Sequence, residues 1–155
     1  QLADPETVYE RPASAFVAGF IGRNNFWKGI ATTDGVRAQD GTVFVVSNPD
    51  EQVAPGEPAL AAVRPENFQL VTVDPGTSRN SIPGRVASVA HFGDTLQYVV
   101  HTASRDVLVL TPRANAPRLE VGDNAWCTFT PSDVYSFSAR QADLVMAETI
   151  AEPTD

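Results

Sequence analysis

Ser78, Arg79 and Asn80 stand side by side in the stretch TSRNSIPGRV, residues 77–86. They offer a hydroxyl, a guanidinium and an amide just before an apolar run. Such groups can hold an oxyanion, by charge and by directed hydrogen bonds. The competing reading is a polar linker carrying a solvated arginine. Little else in the chain suggests chemistry. There is no Gly-x-Ser-x-Gly elbow, no His-Glu-x-x-His, no Cys-x-x-Cys and no glycine-rich phosphate loop. The only histidines are His91 and His101. A hairpin turning at Gly93-Asp94 sets His91 opposite Leu96 and His101 opposite Val86, on opposite faces of the ribbon, so no metal site is expected.

Charge narrows the partners. Lys+Arg 11 against Asp+Glu 19 leaves a formal net charge of -8, which repels phosphate backbones and argues against nucleic acid. Phe26, Trp27, Phe92, Tyr98 and Trp126 are the aromatics that a base-stacking surface would need, but lysine and arginine do not interleave them. Packing in a core or an interface is the better use. Cys127 is the single cysteine and reads as a small buried apolar residue. No apolar run reaches the roughly 20 residues of a membrane helix. The stretch FVAGFIG lacks the charged flank and cleavage site of a signal peptide.

The elements that position these residues are mostly short strands. Asp34-Gly35 and Asp40-Gly41 divide residues 25–47 into a three-stranded meander. ALAAVRP, ending at Pro65, and FQLVTV supply two more strands. DPGTSRNS reads as a joint. Beyond it, IPGRVASVAHF, TLQYVVHT and DVLVLTP form a second meander, followed by NAWCTFTP and DVYSF. The class is all-β, built as small barrels or a compact double sheet. Ahead of it, residues 4–22 read as two short helices. Asp4 and Ser14 serve as N-caps, and Pro12 and Gly22 as stops. Phe16, Val17, Phe20 and Ile21 share one face of the second helix. A helix this short needs a surface to pack on.

Four stretches, taken in order, resemble one family: PETVYERPASAFVAGFIGRNNF, AVRPENFQL, NSIPGRVASVAHFGDTLQYVV and VGDNAWCTFTPSDV. The chain resembles the C-terminal part of the ATP-binding subunit of an ABC importer of the spermidine/putrescine and ferric-ion type. The positions that carry the leader match are Pro5, Val8, Tyr9, Pro12, Phe16, Val17, Ala18, Phe20, Ile21, Gly22 and Asn25.

The resemblance implies OB-fold-like small barrels in two intimate lobes, preceded by the short N-terminal helices. Residues 1–22 would end a nucleotide-binding domain, and Gln1 would be a cut point within a longer polypeptide. Residues 23–137 would be the transport-associated OB-like domain, with lobes at about 23–73 and 80–137. Residues 138–155 match nothing in the family.

The implied role is regulation and dimerisation without catalysis or a cofactor in this chain; ATP and Mg belong to the parent subunit. Partners would be the nucleotide-binding domain of the same polypeptide, a second copy, and the membrane-spanning permease subunits. The setting would be cytoplasmic, peripheral on the inner face of a bacterial membrane. The solute would be a polyamine first, with ferric ion, a phosphonate or a sugar behind it. Phe16, Phe20, Ile21, Phe26, Trp27 and Trp126 are the expected interface residues, because aromatic and branched side chains bring contact area at low entropic cost.

Overall fold

A computed structural model describes residues 25–47, 53–76 and 80–138. The helices expected over residues 4–22 lie outside them. What is described is all-β: ten strands in two five-stranded sheets, with antiparallel pairing throughout.

In the first sheet, β1 (Asn25–Thr32), β2 (Gly35–Ala38) and β3 (Val43–Val45) form the expected meander. The first turn falls one residue earlier than the Asp-Gly signal suggests. Thr32 pairs with Gly35, so Thr33 and Asp34 make the turn and Gly35 opens the strand. A Cβ on Gly35 would lie 1.8 Å from the Phe44 carbonyl oxygen, so close approach, not left-handed backbone, demands glycine there. At the second turn the demand is conformational, since Gly41 has φ 95°. β4 (Pro58–Val63) runs PALAAV and is buried from Ala59 onward on both faces. It lies between β1 and β10 (Val134–Ser138), which accounts for its unbroken apolar run.

The second sheet has the order β5 (Gln69–Val71), β9 (Asn124–Thr128), β6 (Ser81–Phe92), β7 (Thr95–His101) and β8 (Asp106–Pro112). The expected turn at Gly93-Asp94 is present, with Phe92 paired to Thr95 and His91 to Leu96. The far end of that hairpin departs from expectation. A bulge between Val86 and Ser88 inserts Ala87, so His101 lies opposite Arg85 and Val100 opposite Val86.

Two strands are exchanged between the sheets. A 3-10 turn at Pro65–Asn67 carries the chain out of β4 into β5, which pairs with β9 of the second sheet. A similar turn at Pro131–Asp133, closed by a capping box between Thr130 and Asp133, returns the chain so that β10 pairs with β4. The shared core follows from this weave. Trp27 and Phe44 from the first sheet meet Phe68 and Phe129, which flank β5 and β9 of the second. Ring centroids lie 4.8 Å apart for Trp27–Phe44 and 5.4 Å for the stacked pair Phe44–Phe129. Burial of each ring contributes about 1.5–3 kcal/mol, with a further increment from ring geometry.

Cys127 sits on β9 in this core, fully buried. Desolvation pushes its thiol up to about 12. A thiol-reactive chromophore at neutral pH is therefore expected to leave the folded chain unlabelled and to react stoichiometrically once urea unfolds it. Rapid labelling of the folded protein would contradict this burial.

Candidate functional site

Asn80 stands at the entry to β6 with φ 54°, a left-handed conformation that asparagine tolerates better than most residues. Both polar atoms of its side-chain amide are bonded to Val45. Oδ1 accepts the Val45 N–H at 2.8 Å, and Nδ2 donates to the Val45 carbonyl at 3.3 Å. Its own N–H donates to the Val43 carbonyl, and its carbonyl accepts from Phe129. The side chain thus supplies the free edge of β3 with the bonds that a neighbouring strand would supply. Asn25 does the same at the opposite corner. Its Oδ1 accepts the Leu108 N–H and its Nδ2 donates to the Leu108 carbonyl, both at 2.9 Å, across to the edge strand β8. Asn25 is 1% exposed, so these bonds also satisfy an amide that would otherwise be costly to bury.

A groove of about 600 Å³ opens between the edges of β3 and β5, next to Asn80. Val45, Val71, Phe129 and Pro131 make it mainly apolar, and Thr128 and Ser81 add hydroxyls. Ser81 Oγ is buried without a hydrogen-bond partner. Ser78 and Arg79 lie outside the described residues, as do Phe16, Phe20 and Ile21. The groove therefore places one of the three polar residues read from the sequence, with its amide already bonded to Val45.

The remaining aromatics divide. Trp27 is 5% exposed and packs in the core, which leaves its ring no surface to offer a partner. Phe26 and Trp126 are half-buried on β1 and β9. Arg105, in the turn from β7 to β8, was not singled out by sequence. Its guanidinium carbon lies 5.3 Å from the Trp27 ring centre and 5.8 Å from that of Phe26, and it donates to the Phe26 carbonyl. Burial lowers the Arg105 pKa from its ordinary value, with Asp106 opposing. Beside it, Ser104 donates to Asp40 at 2.6 Å and ties this turn to the one between β2 and β3. Partial burial pushes the Asp40 carboxyl upward. Hydrogen bonds from Ser104 and Thr42 outweigh that and hold it below its usual value.

His101 faces Asp106 at 2.5 Å on the surface, and His91 accepts from Arg113 at 3.0 Å. Among the described residues no three His, Cys, Asp or Glu side chains converge on a metal position. Nor, among them, is any helix long and apolar enough to cross a membrane.

The TOBE domain family matches residues 61–137. Curated relatives extend the likeness over most of the chain. A spermidine/putrescine import ATP-binding protein PotA of Nostoc sp. is 32% identical over 140 residues, covering 81% of this chain and 35% of that protein. The protein of the same name from Thermobifida fusca is 32% identical, covering 87% and 37%. PotA 1 of Pseudomonas aeruginosa is 34% identical, covering 81% and 34%. The chain thus spans about a third of the length of these relatives. Among solved structures, the cytoplasmic molybdate-binding protein ModG, with molybdate bound, matches at a TM-score of 0.63 and 18% identity. That match covers 74% of this chain and 95% of ModG. It places the described residues in the same small-barrel fold.

Two expectations follow from the geometry. Asn80→Ala is expected to cost about 2–4 kcal/mol by urea unfolding, from the two unpaired groups on Val45 and the left-handed backbone. Asn80→Gly relieves only the backbone part, so it should recover about 1 kcal/mol of that loss. Equal stability of the two variants would remove the backbone contribution. For Asp40, the sign follows from its lowered pKa. The contribution is present above the unfolded value near 3.8 and is lost as pH falls through the folded value. Ser104→Ala should therefore lower stability by about 0.5 kcal/mol at neutral pH, a small figure because the pair is exposed. The gap should narrow on acidification through the carboxylate range; a gap independent of pH would contradict the assignment.

Proposed function

Residues 61–137 belong to the TOBE domain family, and from that premise we propose that the chain is the C-terminal regulatory and dimerisation module of an ABC importer's ATP-binding subunit. The observation that carries the reading is the likeness to PotA proteins over 81–87% of the chain, well beyond the residues matched by the family. A polyamine such as spermidine or putrescine is the proposed solute, after the names of those relatives. The parent subunit would handle ATP and Mg in residues preceding this chain. It would work against permease subunits from the cytoplasmic side of the membrane.

The architecture supports a mechanical part. Two sheets exchange strands, share one aromatic core and are latched at two corners, so they transmit a displacement as a unit. Such a body can hold two ATPase halves in register while they open and close. No catalytic role is assigned to its residues.

The second reading is a small-ligand barrel for an oxyanion, favoured by the ModG-like fold and by Ser78 and Arg79, which precede the groove residue Asn80 in the sequence. The bonds from the Asn80 amide to Val45 weigh against it, because that amide would have to leave β3 to meet a ligand.

The test is the coding region upstream. A phosphate loop and an ABC signature motif are expected in the same reading frame, and deleting the codons for residues 25–138 should impair uptake of labelled spermidine in the host. An upstream frame without those motifs overturns the proposal. Calorimetry of the chain with molybdate, sulfate and phosphate separates the second reading. No heat is expected, and heat abolished by Arg79→Ala would favour the oxyanion barrel instead.

A further inference from the structure

The first sheet has two faces, and only one of them looks into the shared core. Trp27, Ala61 and Val63 lie on that face. Residues paired across an antiparallel sheet share a face, and neighbours along a strand alternate. The register therefore sets Phe26, Ala62 and Tyr135 in one row on the outer face, and Lys28, Leu60 and Phe137 in the next. Leu60 is 1% exposed and Phe137 2%, yet neither belongs to the core between the sheets. Phe137 stands on β10, which among the described residues pairs with β4 alone. The described elements packed most closely on β4 and β10 are their own sheet neighbours. Lateral pairing does not hide an outward ring on a border strand, so something roofs it. These exposures are those of a single chain, so the roof belongs to this chain.

Two segments outside the described residues carry enough apolar side chains to serve. One precedes β1 and holds Phe16, Val17, Phe20 and Ile21; the other follows β10 and holds Leu144, Val145, Met146 and Ile150. Position separates them. The roof hides Leu60 and Phe137 but leaves Lys28 exposed in the same row, and Ile30 is 41% exposed in the row beyond. It therefore lies over β10 and β4 and stops short of β1. Residues 1–24 join the sheet at Asn25, on β1, opposite Val63. Residues 139–155 leave from Ser138, next to Phe137 and opposite Ala59. Charge points the same way. The strands of this sheet carry Lys28 and Arg37 and no acidic residue, and Arg64 adds a cation over the Tyr135 ring. Residues 139–155 hold Asp143, Glu148, Glu152 and Asp155 against Arg140 alone. Residues 1–24 are closer to balance, with Asp4, Glu6 and Glu10 against Arg11 and Arg23.

We propose that residues 139–155 double back across the outer face of β10 and β4 and cover Leu60 and Phe137. The apolar side chains of that segment meet the row, and its carboxylates meet the cations that border it. The chain thus caps its own first sheet on the side away from the core. Any partner that used this face would first have to displace the cap. The inference does not depend on the importer reading.

The experiment is photo-cross-linking of the full chain. Benzoylphenylalanine in place of Lys28, and separately in place of Tyr135, sets a reactive group beside the covered side chains. Trypsin then cuts after Arg23 and Arg140, so the two candidate covers leave as different peptides. The adduct is expected on residues 141–155, at the mass of one chain. An adduct on residues 1–23 gives the face to that stretch and overturns the proposal. An adduct at the mass of two chains, or no adduct at all, overturns it as well. Truncation supplies an independent readout. Removing residues 139–155 should raise Nile red emission several-fold while Cys127 stays unlabelled, which shows that the fold persists. Removing residues 1–22 should leave the emission unchanged. No rise on the first removal, or an equal rise on both, contradicts the assignment.

Discussion

Two asparagine side chains hold the edges of this structure closed. A β-strand at a sheet border presents a row of N–H and C=O groups, and burying that row without partners is costly. Here Asn25 and Asn80 each offer one amide to one residue of a border strand in the opposite sheet, Leu108 on β8 and Val45 on β3. Each amide matches the donor and acceptor of a peptide group, so it completes the pairing without a further strand. The sheets can then curve toward each other over the aromatic cluster, which a pair of flat sheets could not enclose. Arg105 adds a third tie, stacked over Trp27 and bonded to the backbone of β1.

With the corners latched, the exchange of β5 and β10 ties the two sheets together a second time. The strand that borders β4 comes from the end of the described chain, and the strand that borders β9 comes from its middle. Neither sheet can leave the other without breaking a ladder. In the proposed role, that construction would let the module carry force between larger moving parts, because no hinge separates the two sheets. The groove beside Asn80 sits where the weave is least complete, between the borders of β3 and β5.

Most of the strands were legible in the residues. Asp-Gly and Gly-Asp pairs marked three hairpin turns, and the runs between them marked the strands that those turns join. The family likeness was legible as well, carried by stretches such as AVRPENFQL and VGDNAWCTFTP. What the sequence concealed was long-range. No periodicity reveals that Asn25 will bond a residue 83 positions away, or Asn80 one 35 positions away. A bulge at Ala87 leaves no compositional trace, yet it moved His101 by one partner. Trp27 read as an anchor for a partner because it is large and aromatic, and only the packing of Phe44 and Phe68 against it reveals a core residue. Asn80 was read for its chemistry, when its backbone angle and its bonds to Val45 give it architectural work.

The weave also has a bearing on biosynthesis. A ribosome delivers β1 to β4 first, but the flank of β4 stays bare until Val134–Ser138 has cleared the exit tunnel. The earlier meander therefore waits, half-finished, for β10, and the two sheets must mature together. Pauses or truncations between the codons for β4 and β10 would expose the alanine-rich β4, so one of the last described strands protects one made much earlier.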